Sequence, residues 1–200
     1  YWLHNRGPAP LGGLPAVAHL HPHRVAATAD RVALRLTVAS DCTDARLSGA
    51  IDLIGPPGCT VTPARLPVDL EPGAHREADL TVTLPAGAAP GHYPVRAQLR
   101  ITGDELPAAW RQTVEDVCVI TVGGADGPLL RLSEDPAEIV LRAGERGRVA
   151  LAVATDCHAD LAVEAHVISP WGTWEWIGPA AVGAVLPAAG QVRLEFDVAP

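Results

Sequence analysis

Tyr93-Pro94-Val95-Arg96-Ala97-Gln98-Leu99-Arg100-Ile101 places Tyr93, Val95, Ala97, Leu99 and Ile101 on one face and Arg96, Gln98 and Arg100 on the other. A period of two with apolar and charged faces predicts a strand with one side buried and one side in water. The same alternation recurs at Val32, Leu34, Leu36 and Val38, from Leu47 to Leu53, at Ala78, Leu80, Val82 and Leu84, and at Val192, Leu194, Phe196 and Val198. With 19 glycines and 19 prolines in 200 residues, turns come too often for long helices. The expected fold is all-β, built from half-buried strands packed as two-sheet sandwiches.

An internal repeat sets the domain count. Val38-Ala39-Ser40-Asp41-Cys42 matches Val153-Ala154-Thr155-Asp156-Cys157, and Ala45 to Gly58 then matches Ala159 to Gly172. The period, about 115 residues, is near the roughly 100 residues of an immunoglobulin-like sandwich and longer than a solenoid repeat. Two tandem immunoglobulin-like β-sandwiches are expected: a connecting segment 1–15, a first sandwich 16–123, a linker 124–128 and a second sandwich 129–200, whose strand pattern resumes at Ile139. Pro90-Gly91-His92-Tyr93, just ahead of the best strand, is placed like the tyrosine corner of such sandwiches. Pro200 aligns with Pro85, so the second sandwich is expected to be truncated, lacking its last strands. Its open edge would then be covered by a continuation of the natural chain, by another segment, or by self-association.

The net charge of −8 and scattered arginines, with no lysine, give no basic face, so nucleic acid is not an expected partner. No run of about 18 apolar residues exists, and no membrane partner is expected. A chain that opens Tyr1-Trp2-Leu3 and contains no methionine is expected to be a piece or a processed product of a longer polypeptide. The compartment stays open, with the cytoplasm the favoured expectation. Cys42, Cys59, Cys118 and Cys157 are widely spaced with no C-x-x-C; three pairings are conceivable, and free thiols are favoured because Cys59 corresponds to Thr173 in the second copy.

Three features carry potential chemistry. Ser169-Pro170-Trp171-Gly172-Thr173-Trp174-Glu175-Trp176 holds three of the five tryptophans. Indoles stack on the C–H faces of sugars and a carboxylate accepts hydroxyl protons, so Trp171, Trp174, Glu175 and Trp176 are carbohydrate-binding candidates. Core or interdomain packing is the favoured reading of the same residues. His19, His21 and His23 form H-x-H-x-H, which on a strand would line three imidazoles along one face as metal candidates. Against that, Pro22 interrupts the strand and no carboxylate is near in sequence, so solvated histidines at a strand end are favoured and no metal is expected. The acidic pairs Asp41 and Asp44, Glu115 and Asp116, and Glu134 and Asp135 are the residue types of glycoside cleavage, but they are placed near strand ends and turns. No nucleophile elbow, phosphate loop, dinucleotide fingerprint, zinc-protease helix or EF-hand loop is present, and no catalytic residue is assigned.

Tyr1 to Pro15 (YWLHNRGPAPLGGLP), the paired sandwich pattern, and Ser169 to Glu175 with Gly178-Pro179 resemble the C-terminal region of bacterial glycoside hydrolase family 38, the α-mannosidase-like proteins. The sandwiches look like the Ig-like domains associated with α-galactosidases. This resemblance implies a non-catalytic accessory module whose partner is the catalytic domain of the parent chain. It also implies that zinc and the aspartate nucleophile belong to that domain, with no cofactor in this fragment. The alternative is a carbohydrate-binding module that holds glycan on the Trp171 to Trp176 surface.

Overall fold

The computed structural model describes residues 15–125, 127–135, 138–167 and 177–199, which divide into two compact units with the boundary in sequence after Ala125. Strands dominate both units, and no helix among the described residues is long and apolar enough to cross a membrane.

The first unit is a β-sandwich. One sheet contains β1 (Ala16–His21), β3 (Arg31–Ser40), β7 (His75–Thr83) and β5 (Thr60–Thr62), in the order β1-β3-β7-β5. The facing sheet runs β2 (Arg24–Ala26), β9 (Thr113–Val122), β8 (Gly91–Thr102), β4 (Leu47–Ile54) and β6 (Arg65–Leu70). All pairings are antiparallel except β2 with β9, which is parallel. The chain thus crosses from one sheet to the other between β1 and β2.

The expected alternation is seen strand by strand. In β3, Val32, Leu34, Leu36 and Val38 are buried between exposed or half-buried neighbours. In β8, Val95, Ala97, Leu99 and Ile101 point into the core, while Arg96 and Arg100 face water. These residues join Leu20, Leu47, Ile51, Leu80, Val82, Cys118 and Ile120 in one apolar cluster. Among the described residues, the gap between the sheets at Leu36, Ile51, Leu66 and Val68 leaves a cavity of only ≈ 10 Å³, about the size that holds one water and too small for a sugar ring.

Tyr93 fulfils its expected role: its hydroxyl donates to the Ala89 carbonyl at 2.9 Å, tying the start of β8 to the preceding corner. Burial raises the pKa of this phenol above its ordinary value, so the donating O–H form is retained.

The second unit contains a sheet of order β10 (Arg131–Asp135), β11 (Gly147–Ala154), β15 (Gln191–Val198) and β13 (Ile177–Gly178), and a separate pair formed by β12 (Leu161–His166) and β14 (Ala181–Leu186). Val153, Leu186, Leu194 and Phe196 form its core. The strand pattern expected to resume at Ile139 is corrected: the strand lies earlier, at Arg131–Asp135, and Ile139 lies outside any strand. Ile139 instead covers Gly147, where a Cβ would meet Ile139 Cδ1 at 2.5 Å. Among the described residues β12 has β14 on one side and no strand on the other, although Leu161, Val163 and Ala165 are already half-buried against the core.

The repeated pentapeptides form the same local bond in each unit. Cys42 N–H donates to the Ser40 hydroxyl at 3.4 Å, and Cys157 N–H donates to the Thr155 hydroxyl at 3.0 Å. A hydroxyl two residues back satisfies a buried amide where the strand ends.

Candidate metal-ligand cluster

The first unit brings together a group of side chains that no local motif contains. In β1, Ala16, Ala18 and Leu20 are buried, so His19 and His21 share the outward face. The chain then bends at Pro22 and His23 before entering β2. Two backbone bonds fix this crossing against β9: Leu20 N–H donates to Asp116 Oδ2 at 2.7 Å, and Val119 N–H donates to the His23 carbonyl at 2.8 Å.

The bend returns His23 over His19. Their rings meet edge to face, with centroids 4.5 Å apart and planes at 74°. His19 Nδ1 lies 3.1 Å from His23 Nε2. Asp116 Oδ2 lies 3.4 Å from His19 Nδ1 and 3.6 Å from His23 Nε2. The three side chains retain 43%, 62% and 24% exposure for His19, His23 and Asp116, so the cluster opens to solvent.

This arrangement corrects the simple stack of His19, His21 and His23 along one strand face. His21 shares that face with His19 but is absent from the convergent set, and His23 has left the strand. The missing carboxylate also exists, supplied by Asp116, which lies 96 residues beyond Leu20. The β1–β2 crossing from one sheet to the other sets β1 beside β9, an arrangement that local spacing does not show.

The acidic pairs behave differently. Glu115 and Asp116 lie within β9, not at a turn. Successive strand residues face opposite ways, so Glu115 meets Gln98 and Arg96 while Asp116 meets the histidines. They do not work as a pair. Asp41 and Asp44 are exposed in the loop after β3, Glu134 is exposed in β10, and the Asp135 side chain lies outside the described residues. Among the described residues, the buried polar ones are Ser40, His92, Thr121 and Thr155, with no carboxylate among them. A glycosidase acid needs a desolvated carboxyl to hold its proton at neutral pH.

His92, which sequence reasoning passed over, is 1% exposed. An Arg24 guanidinium nitrogen lies 3.1 Å from its Nε2, and the same Arg24 nitrogen donates to the Ala125 carbonyl at 3.1 Å. Guanidinium only donates, so His92 Nε2 is the acceptor and its ring proton resides on Nδ1. This contact closes the end of β8 where both of its faces are buried.

Trp171, Trp174, Glu175 and Trp176 lie outside the described residues. Trp110 is described: it sits in a short 3₁₀ turn, Ala108–Trp110, half-buried against the core of the first unit, with its indole N–H unpartnered. In the second unit, Ile177 and Gly178, next in sequence after Trp176, line an open groove with Arg146, Arg148 and Asp197. Arg148 donates to Asp197 at 2.9 Å and pairs with Glu195 at 3.1 Å.

The four cysteines are free. Burial, with the Asp116 charge adding to it, pushes the Cys118 thiol up to about 12, and burial likewise raises Cys157 and the half-exposed Cys59. A raised pKa leaves less thiolate at neutral pH, so none of the three is an activated nucleophile, and Cys59 alone of the four is accessible to a reagent. An aromatic disulfide reagent is expected to modify one thiol, Cys59, in the native chain and all four after denaturation. Rapid modification of two or more native thiols would contradict the burial described.

Residues 27–102 match the family model described as NPCBM-associated, NEW3 domain of alpha-galactosidase. This segment of the first unit therefore fits a domain type that accompanies glycosidases. No curated protein matches the chain. Among solved structures, a Salmonella alpha-2-macroglobulin variant matches at 25% identity and TM-score 0.46 over 66% of this chain, which spans only 8% of that protein. The E. coli chaperone DraB matches at 12% identity and TM-score 0.42, covering 92% of this chain and 87% of DraB. WR4, an MSP family member of C. elegans, matches at 17% identity and TM-score 0.37, covering 53% of this chain and 97% of WR4.

Proposed function

We propose that this chain is a non-catalytic accessory module of a glycoside hydrolase, that its parent is an α-mannosidase-like enzyme of family 38, and that it packs on the catalytic part of that parent. The match of residues 27–102 to the NEW3 model carries this reading. The likeness of Tyr1 to Pro15 and of Ser169 to Glu175 to the C-terminal region of family 38 proteins supports the finer assignment. The scattered, solvated carboxylates support a non-catalytic role, because hydrolysis needs two carboxyls facing one substrate across a cleft.

The proposal includes two tandem immunoglobulin-like sandwiches, 16–123 and 129–200. The equivalent hydroxyl-to-cysteine bonds support it, as does the likeness of the β10-β11-β15-β13 order to β1-β3-β7-β5. In the first unit β4 pairs with β8 on one side and β6 on the other, whereas β12 pairs with β14 alone among the described residues. The free side of β12 is where a further strand, from the parent or a second copy, would add.

The second reading, a carbohydrate-binding module, is favoured by one observation: Ile177 and Gly178, which follow the tryptophan motif in sequence, line an open groove with the charged side chains of Arg146, Arg148 and Asp197. Aryl α-mannoside and α-galactoside assays, with a mannoside titration followed by Trp fluorescence, separate the readings. The accessory role predicts no turnover and no saturable binding by the chain. Micromolar binding lost in Trp174→Ala with the fold intact would establish the second reading instead.

A further inference from the structure

We propose that His19, His23 and Asp116 bind one divalent transition-metal ion of the zinc class on the first unit, with water completing its coordination. The three candidate ligand atoms all lie within 4.8 Å of one another. Their separations of 3.1, 3.4 and 3.6 Å carry the argument. Zinc binds imidazole nitrogen and carboxylate oxygen at about 2.0–2.2 Å, and tetrahedral angles then place neighbouring ligand atoms about 3.3–3.6 Å apart. Two sides of the observed triangle, 3.4 and 3.6 Å, have that length, and the third, 3.1 Å, is slightly shorter.

The electron pairs point the same way. Two imidazole nitrogens face each other and the same carboxylate oxygen. Each neutral imidazole can carry its proton on the ring nitrogen turned away from this centre, which leaves a lone pair on His19 Nδ1 and on His23 Nε2 facing the carboxylate. A cation satisfies all three groups at once. Asp116 Oδ2 accepts Leu20 N–H at 2.7 Å and has a second lone pair for the ion. That amide orients the carboxylate as outer-shell donors do in metal sites. The His23 carbonyl, bonded to Val119 N–H, fixes the other side of the crossing. Ligands held by backbone bonds lose little freedom on binding.

The donor set selects the ion. Two imidazoles and one carboxylate suit zinc and its transition-metal neighbours, whereas calcium and magnesium require mostly oxygen ligands. The exposure of His23, at 62%, leaves the remaining position open to water. Bound there, the ion would join the β1–β2 crossing to β9 and so link segments of the two sheets. An ion that binds only the folded state raises its melting temperature.

The test is calorimetric and spectroscopic titration of the full chain, stripped with a chelator, using zinc and cobalt(II) ions alone at neutral pH. Cys59→Ser is included so that its thiol does not compete. The expected result is one saturable equivalent with micromolar affinity, tetrahedral cobalt absorption and a higher melting temperature for the first unit. His23→Ala and Asp116→Asn should each weaken binding at least about tenfold with an unchanged circular dichroism spectrum, while His21→Ala and His166→Ala should bind normally. His23 is the most exposed of the three, so its variant keeps the test valid if Asp116→Asn unfolds. No saturable binding, or equal binding after both ligand substitutions, would overturn the proposal and leave the trio an ordinary surface contact between histidines and a carboxylate.

Discussion

Leu99→Ala is expected to lower the stability of the first unit by about 2–5 kcal/mol, the range for truncating a buried leucine that leaves a cavity. Leu99 is 0% exposed in β8, in register with Ile51 of β4 and Val114 of β9, and it faces the shared core. Its neighbour in sequence, Arg100, points to water and pairs with Asp52 at 3.8 Å. An exposed ion pair of this kind contributes about 0–1 kcal/mol, so Arg100→Ala should change stability little. Urea unfolding of both variants tests the two faces of one strand. Equal losses would show that β8 does not alternate as described.

Gly49→Val is expected to destabilise the same unit, and here two effects oppose each other. Valine favours strands, with the whole propensity scale spanning about 1 kcal/mol. At Gly49, however, a Cβ would meet the Arg100 carbonyl oxygen at 2.3 Å, its carbon at 3.2 Å and Ile101 Cα at 3.4 Å. Every one of these atoms is backbone, so no side chain can swing away. Accommodating the valine requires β4 and β8 to separate, and overpacking costs about 1–3 kcal/mol and occasionally more. Packing outweighs propensity. A Gly49→Val variant as stable as the parent would mean that the β4–β8 approach is looser than described.

The strands were readable because burial on one face writes a period of two into the sequence. Val32 to Val38 and Val95 to Ile101 show it without interruption, and Tyr93 marks its corner. Where both faces are covered, the period vanishes: His92 looks like a solvent residue until Arg24 is seen above it. Ile139 misleads for a related reason, because an apolar residue packed over Gly147 from a loop looks like the start of a strand. The histidine cluster was half legible. His19, His21 and His23 stand together in sequence, but Asp116 reaches them only through the arrangement of β1, β2 and β9. Pro22, which argued against a site by breaking the strand, lies at the bend that returns His23 to His19. The tryptophan motif, the most distinctive local signal, lies outside the described residues.

The proposed role is packing on a glycoside hydrolase, with no chemistry performed by the module itself. Its most direct test compares the parent enzyme with a form lacking residues 15–199, by thermal unfolding of the catalytic part and by hydrolysis of an aryl α-mannoside. The expected result is a clearly lower melting temperature after deletion, recovered when the purified chain is added back, and no hydrolysis by the chain alone. A catalytic part that melts and turns over identically without the module, or hydrolysis by the isolated chain that a substitution within it abolishes, would contradict the account.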